Sequence, residues 1–466
     1  MKRFFAICLL LAALFCVIGA PAGASAAPAA GWNTLDARLS VLGSDKLVSN
    51  ADAVILYEVN SDTLVYDWNG DKQLYPSSMV KILTALIAVE RGNLSDQVTV
   101  DEGVLKTVPY DAVTANLKPG EVLTLRDLLY CMMVGSANDA AAVIAAHIGG
   151  TQAAFVAEMN SYAQNLGCTG SHFTNAHGLH NKEQVSTARD IAKILAEAVK
   201  QETFMEVFCA PRYTVPATNL SDQRVFITGN YLISKEKEEI YYDSRVTGGR
   251  TGVTEDQKRC MAATAESNGM QIISVVMGAK SKYAADGYTI ELYGGFSETS
   301  ELLDKTFGGY RCAQVLFEGQ VLRQSPVVGA RNHVMLGSTS SLFAVLPLNV
   351  TSKDLTYHYT DSQEEFRVPV EKGDILSNVE VWYGGVQVAQ TQLQAMNKVY
   401  GGSLEDTRKD YGADLSWIWI VLIVVVSCIF AAFLLRAVYR RINQQAQRAA
   451  ARKRHRGYRR SRRRSR

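Results

Sequence analysis

Two pairs of strand-forming runs lie at the two ends of one long region of the chain, and this arrangement constrains the fold more than any other feature. The runs are Ala53–Val59 with Thr63–Trp68, and Arg259–Ala265 with Met270–Met277; turn-forming Asn, Ser, Asp or Gly residues separate the members of each pair. Each pair predicts a β-hairpin. Because the strands at both ends can join one antiparallel sheet, we expect an α+β domain with helices packed on that sheet.

Helical patterns fill the region between the two hairpins. Thr124, with Asp127 three residues later, resembles a capping box and predicts a helix start. Helices are expected over Leu125–Val134, Ala140–Ile148, Phe155–Leu166, Ala188–Val199 and, closing the domain, Glu301–Phe307. We place this domain at residues 46–308, after an N-terminal segment of residues 27–45.

The character of the sequence changes near Gly308, where short strand-like runs begin to alternate with turn residues. The runs are Val315–Phe317, Val321–Leu322, His333–Leu336, Leu342–Leu346, Leu355–Tyr359, Glu365–Val370 and Asn378–Tyr383. They predict a small all-β domain at residues 309–395.

The N-terminus has the pattern of a secretory signal peptide. Lys2 and Arg3 precede an apolar run that extends to about Gly19, and residues 24–26, Ala-Ser-Ala, form a small-x-small cleavage site. We expect cleavage of residues 1–26, so that the mature chain begins at Ala27. An uncleaved signal anchor is the alternative.

Residues 415–435 contain no charged side chain and are long enough to span a bilayer as one helix. Trp417 and Trp419 lie near one end of this segment, where aromatic rings favour the membrane interface. A buried core helix is the alternative, but the strongly basic sequence that follows favours a C-terminal transmembrane helix. A polar stalk, residues 396–414, precedes it.

The tail, residues 436–466, carries 13 Arg, one Lys and no acidic residue. The positive-inside rule predicts a cytoplasmic tail, with residues 27–414 outside a cell membrane that the chain crosses once. Contact with anionic lipid is the favoured further role of the tail, and nucleic-acid binding is the alternative. Without these 14 positive charges the formal charge of +2 becomes −12, so the acidic remainder argues against a nucleic-acid partner.

The cysteines do not form a recognisable framework. Cys8 and Cys16 would leave with the signal peptide, and Cys428 lies in the predicted membrane span. Five remain, an odd number without a Cys-x-x-Cys or Cys/His cluster, so neither a disulfide framework nor a zinc site is inferred. We expect small buried hydrophobic residues, with one bridging pair as the alternative: Cys131, Cys168, Cys209, Cys260 and Cys312.

Ser78 and Lys81 form a Ser-x-x-Lys motif at the start of a helix that ends near Gly92. Side chains three residues apart lie on the same helix face, which brings a hydroxyl and an amine together. If burial lowers the pKa of Lys81, the amine can activate the hydroxyl as a nucleophile. The motif is common by chance, and an N-cap serine beside a solvated lysine is the alternative.

Two further polar groups follow in the chain. Ser136 and Asn138 lie in a break between two predicted helices, where polar side chains can face a cleft, although both residue types also cap helices. Farther on, the Gly-rich sequence 248–252 contains Arg250, whose forked guanidinium matches a carboxylate. A Gly-rich turn with a solvated arginine is the alternative. The three groups in this order are much less common by chance than any one of them.

The order Ser-x-x-Lys, Ser-x-Asn, (Lys/Arg)-Thr-Gly resembles that of penicillin-binding proteins and serine β-lactamases. The chain is most similar to their low-molecular-weight D-alanyl-D-alanine carboxypeptidases, the peptidase S11 family, over residues 75–84, 136–140, 173–179 and 186–190. The resemblance covers roughly residues 45–395, and a second β-domain, a signal peptide and a C-terminal anchor also suit that family. It implies a β-lactamase/penicillin-binding-protein-like catalytic domain.

The resemblance implies a role for the first two motifs. Ser78 would be the acylated nucleophile and Lys81 its general base. Ser136 and Asn138 would complete proton transfer and hold the substrate. The implied reaction removes the last D-alanine from peptidoglycan pentapeptides ending in D-Ala-D-Ala, through an acyl-enzyme; β-lactam antibiotics would inhibit it, and no metal or cofactor would take part.

The resemblance also implies a binding wall opposite the nucleophile. Arg250, Thr251 and Gly252 would line this wall and bind the terminal carboxylate of the substrate. The backbone N–H groups of Ser78 and Val253 match the oxyanion hole of the family.

Three departures from the family pattern affect the expected rate and substrate preference. Arg250 replaces the usual Lys, Ala137 replaces the usual Gly, and Gln184 stands where relatives often have a His. Two other functions stay open as alternatives. A β-lactamase would carry a deacylating Glu-x-x-x-Asn loop after the second motif, and no clear one is present; a peptidoglycan-binding or scaffold relative would have Arg250 as a sign of lost activity.

Overall fold

The structure is a computed structural model that describes residues 41–42, 46–47, 50–236, 239–401, 424–426, 429 and 433–437. The predicted signal peptide, residues 1–26, lies outside the described residues, as do most of the predicted stalk, membrane span and basic tail. The described residues divide into two compact units. One comprises the residues up to Gln320 with Ser338–Thr360 and Asn378–Gln392, and the other comprises Val321–Gly337, Asp361–Ser377 and the residues from Leu393 onwards.

Helices and strands alternate along the first three hundred residues. The α-helices are α1 Val80–Arg91, α2 Glu102–Leu105, α3 Leu125–Met133, α4 Asn138–Gly149, α5 Gln152–Asn165, α6 Ala188–Ala198, α7 Glu202–Phe208 and α8 Gly294–Gly309. The strands in this part are β1 Ala53–Glu58, β2 Thr63–Trp68, β3 Gln97–Thr99, β4 Val122–Thr124, β5 Arg212–Val215, β6 Arg224–Ile227, β7 Val246–Val253, β8 Arg259–Ser267, β9 Met270–Ala279, β10 Lys282–Tyr283 and β11 Ile290–Leu292.

A five-stranded antiparallel sheet in the order β2-β1-β9-β8-β7 forms the centre of the first unit. Strand β1 pairs with β9 from Ala53 opposite Met277 to Glu58 opposite Ile272. The sequence-based prediction that the two terminal hairpins share one sheet is therefore confirmed. Strand β7 occupies one edge of this sheet, where its free side is open to the site described below.

The central sheet is buried on both faces. Successive residues of a strand point to opposite sides of the sheet, so each strand contributes side chains to two cores. On β1, Ile55 packs in a core with the helices α1, α3, α4 and α6, whereas Val54 and Leu56 pack in a second core with α8. Helix α1 is buried from Val80 to Ala88, so it runs through the middle of the first core. A helix buried on all sides holds its side chains in fixed positions, and Lys81 is one of them.

The predicted helices are present, and all but the last begin and end within about three residues of the predicted positions. The Thr124 hydroxyl accepts a hydrogen bond from the Asp127 N–H at 3.0 Å, which starts α3 as the sequence predicts. Helix α8 begins at Gly294, seven residues before the expected Glu301. The elements that were not predicted include α7, β5 and β6, each of which is short and carries no strong periodicity.

The Gly-rich sequence at residues 248–252, for which a turn was the alternative interpretation, is part of a strand. Strand β7 pairs with β8 from Val246 opposite Ala265 to Val253 opposite Arg259. Its glycines fit because a Cβ at Gly248 would lie 2.6 Å from the Phe208 ring and one at Gly249 would lie 2.5 Å from the Met261 side chain. The alternative of a solvated Arg250 is wrong, because that side chain is 3% exposed.

Between Tyr310 and Ala395 the elements are strands, apart from one 3-10 turn at Ser352–Asp354. The strands are β12 Tyr310–Leu316, β13 Val321–Ser325, β14 Val327–Val328, β15 Val334–Ser338, β16 Leu342–Pro347, β17 Thr356–Asp361, β18 Phe366–Arg367, β19 Ile375–Tyr383 and β20 Val386–Ala395. Their largest sheet has the order β13-β15-β20-β19-β17. Each of the seven strand-like runs overlaps one of these strands, whereas β14 and β20 were not predicted.

Two sequence-based expectations concern features beyond the sheets. The five cysteines named above are free thiols, and Cys131, Cys168 and Cys260 are buried. In the described part of the chain, no single helix has the length and apolar composition needed to cross a membrane, although the bent pair α4 and α5 meets both criteria together.

Candidate active site

Ser78 lies in a tight turn that connects to α1. Residues Ser77–Met79 form one 3-10 turn immediately before the helix, and Ser77 adopts a positive φ of 48°. The Ser77 hydroxyl donates to Val253 O at 2.7 Å and accepts from Val253 N–H at 3.1 Å. These two bonds join the turn to β7, so the nucleophile candidate is held against the edge of the sheet.

Lys81 is fully buried, and three oxygen atoms surround its amine. Nζ lies 3.1 Å from Ser78 Oγ and 2.8 Å from Asn138 Oδ1, and it makes a short contact with the backbone carbonyl of His177. Burial lowers the pKa of Lys81 well below its ordinary value, the charge of Arg250 lowers it further, and Asp139 opposes the shift. The amine is therefore tuned towards its neutral form.

The oxygen neighbours of Lys81 Nζ determine the directions of the N–H groups and the lone pair of the neutral amine. A carbonyl and an amide oxygen can only accept, so the two N–H groups of the neutral amine go to His177 and Asn138. The remaining lone pair then faces the Ser78 hydroxyl, which can donate its proton to it. This is the geometry that a general base needs before it activates a nucleophile.

Ser136 and Asn138 lie where α3 ends and α4 begins, as the sequence predicts. Ser136 has a positive φ of 59°, which turns its side chain towards β7. Asn138 donates through Nδ2 to Val113 O at 3.0 Å while its Oδ1 accepts from Lys81. The amide is thus fixed at both ends, and it orients the lysine.

Arg250 differs from the expectation that it lines the substrate wall. Its Nε donates to Ser78 O at 3.2 Å, its Nη1 donates to Met133 O at 2.8 Å, and its Nη2 makes a short bond to Ser136 Oγ. Burial lowers the pKa of Arg250 to about 10, so the group stays charged at neutral pH. Arg250 therefore lies behind the wall and positions both serines.

An open groove of about 740 Å³ adjoins Ser78, Ser136 and Asn138. Thr251, Gly252 and Val253 line it along the edge of β7, as the sequence predicts. Other lining residues come from the segments around Ala112 and His180. The Val253 N–H expected in the oxyanion hole has a protein acceptor, the Ser77 hydroxyl. A substrate carbonyl must take the place of that acceptor to use this donor.

Sequence reasoning missed the contribution of the segment before Gln184. The Gln184 Oε1 accepts from the N–H groups of Thr174 and Asn175, both at 3.1 Å, and its Nε2 donates to Leu179 O at 3.2 Å. These bonds hold the segment that presents the His177 carbonyl to Lys81. The only sequence signal was that Gln184 departs from the family pattern, since a role played by a backbone carbonyl has no side-chain signature.

His177 is the imidazole nearest to the Lys81 amine, which contacts its backbone carbonyl. Among the described residues, no cluster of three or more His, Cys, Asp or Glu side chains could hold a metal ion. Burial, and then the neighbouring Lys81, lower the pKa of His177 to about 4, so its ring is neutral at physiological pH. The chemistry of the site depends on hydroxyls, one amine and one guanidinium.

Comparison with known proteins points to one family. A family model described as D-alanyl-D-alanine carboxypeptidase matches residues 43–281, just over half of the chain. The chain is 27% identical to the D-alanyl-D-alanine carboxypeptidase DacA of Haemophilus influenzae, with 80% of this chain and 89% of DacA covered. It is 25% identical to the D-alanyl-D-alanine carboxypeptidase DacF of Bacillus subtilis, with 76% and 86% covered.

Solved structures give the same result. Penicillin binding protein 5 from Haemophilus influenzae matches 75% of this chain and 98% of its own, with a TM-score of 0.64 and 27% identity. The D-alanyl-D-alanine carboxypeptidase DacD from Francisella tularensis, with a TM-score of 0.59, 19% identity, and 80% and 98% coverage, shares the fold. This chain belongs to the D-alanyl-D-alanine carboxypeptidase family, peptidase S11.

Proposed function

We propose that this chain is a serine-type D-Ala-D-Ala carboxypeptidase that removes the terminal D-alanine from peptidoglycan stem peptides. The observation that carries the proposal is the fully buried Lys81 amine, whose two other oxygen neighbours leave its lone pair for Ser78. Membership of the family and the names of the relatives support the substrate class.

Acylation begins when Ser78 Oγ attacks the carbonyl carbon of the penultimate D-alanine and Lys81 takes the hydroxyl proton. The negative charge that develops on the carbonyl oxygen faces the backbone N–H groups of Ser78 and Val253. Ser136 donates its proton to the leaving nitrogen as the peptide bond breaks, and D-alanine departs. The proton that Lys81 took from Ser78 then returns to Ser136, so both groups regain their starting protonation states.

Deacylation then consumes one water molecule. The neutral Lys81 removes a proton from this water as it attacks the ester, and Ser78 recovers its proton when the ester bond breaks. Arg250 cannot deliver a proton at neutral pH, so its part is to fix the two serines by hydrogen bonds and to keep the pKa of Lys81 low. β-Lactam antibiotics would acylate Ser78 in the same way.

One experiment tests the function. The full-length protein is incubated with penicillin and, separately, with a peptide ending in D-Ala-D-Ala, and intact mass and free D-alanine are followed. A lasting adduct on Ser78 together with D-alanine release is the expected result. Ser78→Ala abolishes both, whereas Ser95→Ala, a change at an exposed turn, preserves both. Rapid penicillin turnover would indicate a β-lactamase, and neither adduct nor release from folded protein would indicate a scaffold relative.

The proposal includes the location of the enzyme. Signal cleavage after residue 26, a membrane helix at residues 415–435 and a basic tail at 436–466 would put the catalytic domain outside the cell membrane and the tail in the cytoplasm. Residues 309–395 would form a small all-β domain between the catalytic domain and the stalk. Removal of residues 415–466 is expected to release active enzyme from the membrane fraction, and membrane retention of that variant would contradict this topology.

A further inference from the structure

The β5–β6 hairpin contacts two segments that border the active site. Its two strands pair antiparallel. The Phe226 ring of β6 packs on Gly135, where a Cβ would lie 2.5 Å from a ring carbon. Gly135 directly precedes Ser136, so the ring lies beside the backbone that carries this hydroxyl. In the connection between the two strands, Asn219 Oδ1 accepts from Val122 N–H at 2.9 Å. The hairpin therefore joins the chain after α3 to the start of β4.

Arg224 of β6 adds a buried ion pair to these contacts. Its Nη2 donates to Glu121 Oε1 at 2.6 Å, and its Nη1 donates to Ala115 O at 3.1 Å. The Glu121 side chain is 0% exposed, and it also accepts from the Thr218 hydroxyl at 2.7 Å and from Lys118 N–H at 3.0 Å. A carboxylate fixed by several donors holds the guanidinium in one orientation, which directs its second nitrogen to Ala115.

Ala115 connects this ion pair to the active site. Its N–H donates to Asp139 Oδ1 at 2.8 Å, and its carbonyl accepts from the guanidinium of the hairpin, so the chain is held on both sides of this residue. Two residues earlier, the Val113 carbonyl accepts from the N–H and the Nδ2 of Asn138, at 2.9 and 3.0 Å. The Asn138 Oδ1 in turn accepts from Lys81 Nζ at 2.8 Å. The hairpin is thus linked to the general base.

The Asn138 amide determines how the Lys81 amine is oriented. Its Nδ2 donates to the Val113 carbonyl, so its Oδ1 faces the lysine. If that carbonyl moves, the amide can turn, one N–H of the neutral amine loses its acceptor, and the lone pair is no longer confined to Ser78. Acylation then slows although every reacting group is present, because the reacting atoms must be held in line.

We propose that Arg224 is a positioning residue for the carboxypeptidase reaction: through the Ala115 carbonyl it fixes the segment that orients Asn138 and Lys81. The inference rests on the proposed function and extends the machinery of acylation to a hairpin outside the groove, since none of the described residues 212–227 lines that groove. A contact that only stabilised the fold would change how many molecules are folded. This contact sets the rate constant of the molecules that are folded.

The test is the first-order rate constant of acylation at saturating penicillin, measured on the full-length protein. Unfolded molecules lower the amplitude of this reaction and leave its rate constant unchanged. Arg224→Lys keeps a positive charge beside Glu121 but lacks the fork that also reaches Ala115. The rate constant is expected to fall about 10-fold, within the roughly 100-fold that a displacement of about 1 Å can cost. The dissociation constant of penicillin is expected to stay within about threefold of wild type, because no residue of the groove changes.

The matched control is Arg212→Lys on the other strand of the hairpin. Arg212 forms an exposed ion pair with Glu236, so the rate constant is expected to stay within about twofold of wild type. If Arg224→Lys does not fold, the double variant Arg224→Gln/Glu121→Gln leaves no unpaired buried charge, and it is expected to lower the rate constant about 10- to 100-fold.

The possible results separate this inference from the proposed function. A rate constant within about twofold of wild type in Arg224→Lys or, failing that, in the double variant overturns the role given to Arg224. A loss of amplitude with an unchanged rate constant does the same, because it shows a contact that only stabilises the fold. Wild-type protein that forms no acyl-enzyme overturns the proposed function, and the role of Arg224 with it.

Discussion

Replacement of Asp139 by Asn tests the support beneath the active site. The buried carboxylate accepts from Ala115 N–H at 2.8 Å and from Leu117 N–H at 3.1 Å. These bonds hold the segment whose Val113 carbonyl accepts from the N–H and the Nδ2 of Asn138, at 2.9 and 3.0 Å. Asparagine has one carbonyl oxygen, so only one of the two backbone N–H groups keeps its acceptor and the other faces an amide that donates.

The cost follows from these contacts. Loss of one charge-assisted hydrogen bond costs about 1.5–3 kcal/mol, and a buried N–H left without an acceptor adds about 1–3 kcal/mol. We expect Asp139→Asn to lower the free energy of unfolding by about 3–5 kcal/mol, measured by urea denaturation of the full-length protein. The Asp139 charge also raises the pKa of Lys81, so its removal should move the acid limb of the penicillin acylation profile to lower pH.

Asp111 offers a matched control. It is exposed at the mouth of the groove, and Asp111→Asn removes the same charge without breaking a buried bond. A change below about 0.5 kcal/mol is expected for it. The reasoning is refuted if Asp139→Asn costs no more than Asp111→Asn, or if its acid limb moves to higher pH.

Three other changes have expected outcomes. In Gly178→Ala the new Cβ would lie 2.2 Å from the Ser77 carbonyl oxygen, at a residue with a φ of +84°, so the rate of penicillin acylation should fall more than about 100-fold. The control is Gly287→Ala, where φ is +74° and no atom lies within 4 Å of the new Cβ. It should leave the acylation rate unchanged and lower the free energy of unfolding by about 1 kcal/mol. The acylation rate should rise with pH as Lys81 loses its proton, because the neutral amine is the base and its pKa is lowered; a midpoint at the free-lysine value of 10.5 contradicts this. Thr187→Ala removes the N-cap of α6, so the free energy of unfolding measured with urea should fall by about 1 kcal/mol. A decrease below about 0.3 kcal/mol would show that this cap does not stabilise the helix.

Local patterns were sufficient for much of the fold. The cap at Thr124, the break at Ser136 and the two terminal hairpins are all set by residues close in sequence, and each lies where the pattern indicates. The sequence did not show which residues of β1 face which core. A strand that is buried on both faces has an almost continuous apolar sequence, so its two sides cannot be told apart from the pattern. Strand β20 was missed because its polar residues resemble a loop.

The sequence by itself determined the order of the three motifs, the adjacency of Ser78 and Lys81 on one helix face, and the membership of a family with known chemistry. Only the tertiary structure decided that Arg250 faces protein oxygens and that the His177 carbonyl meets Lys81. The physical reason is distance along the chain. Contacts between residues close in sequence follow from helix and turn geometry, whereas contacts between residues far apart in sequence depend on how strands pair and cores pack.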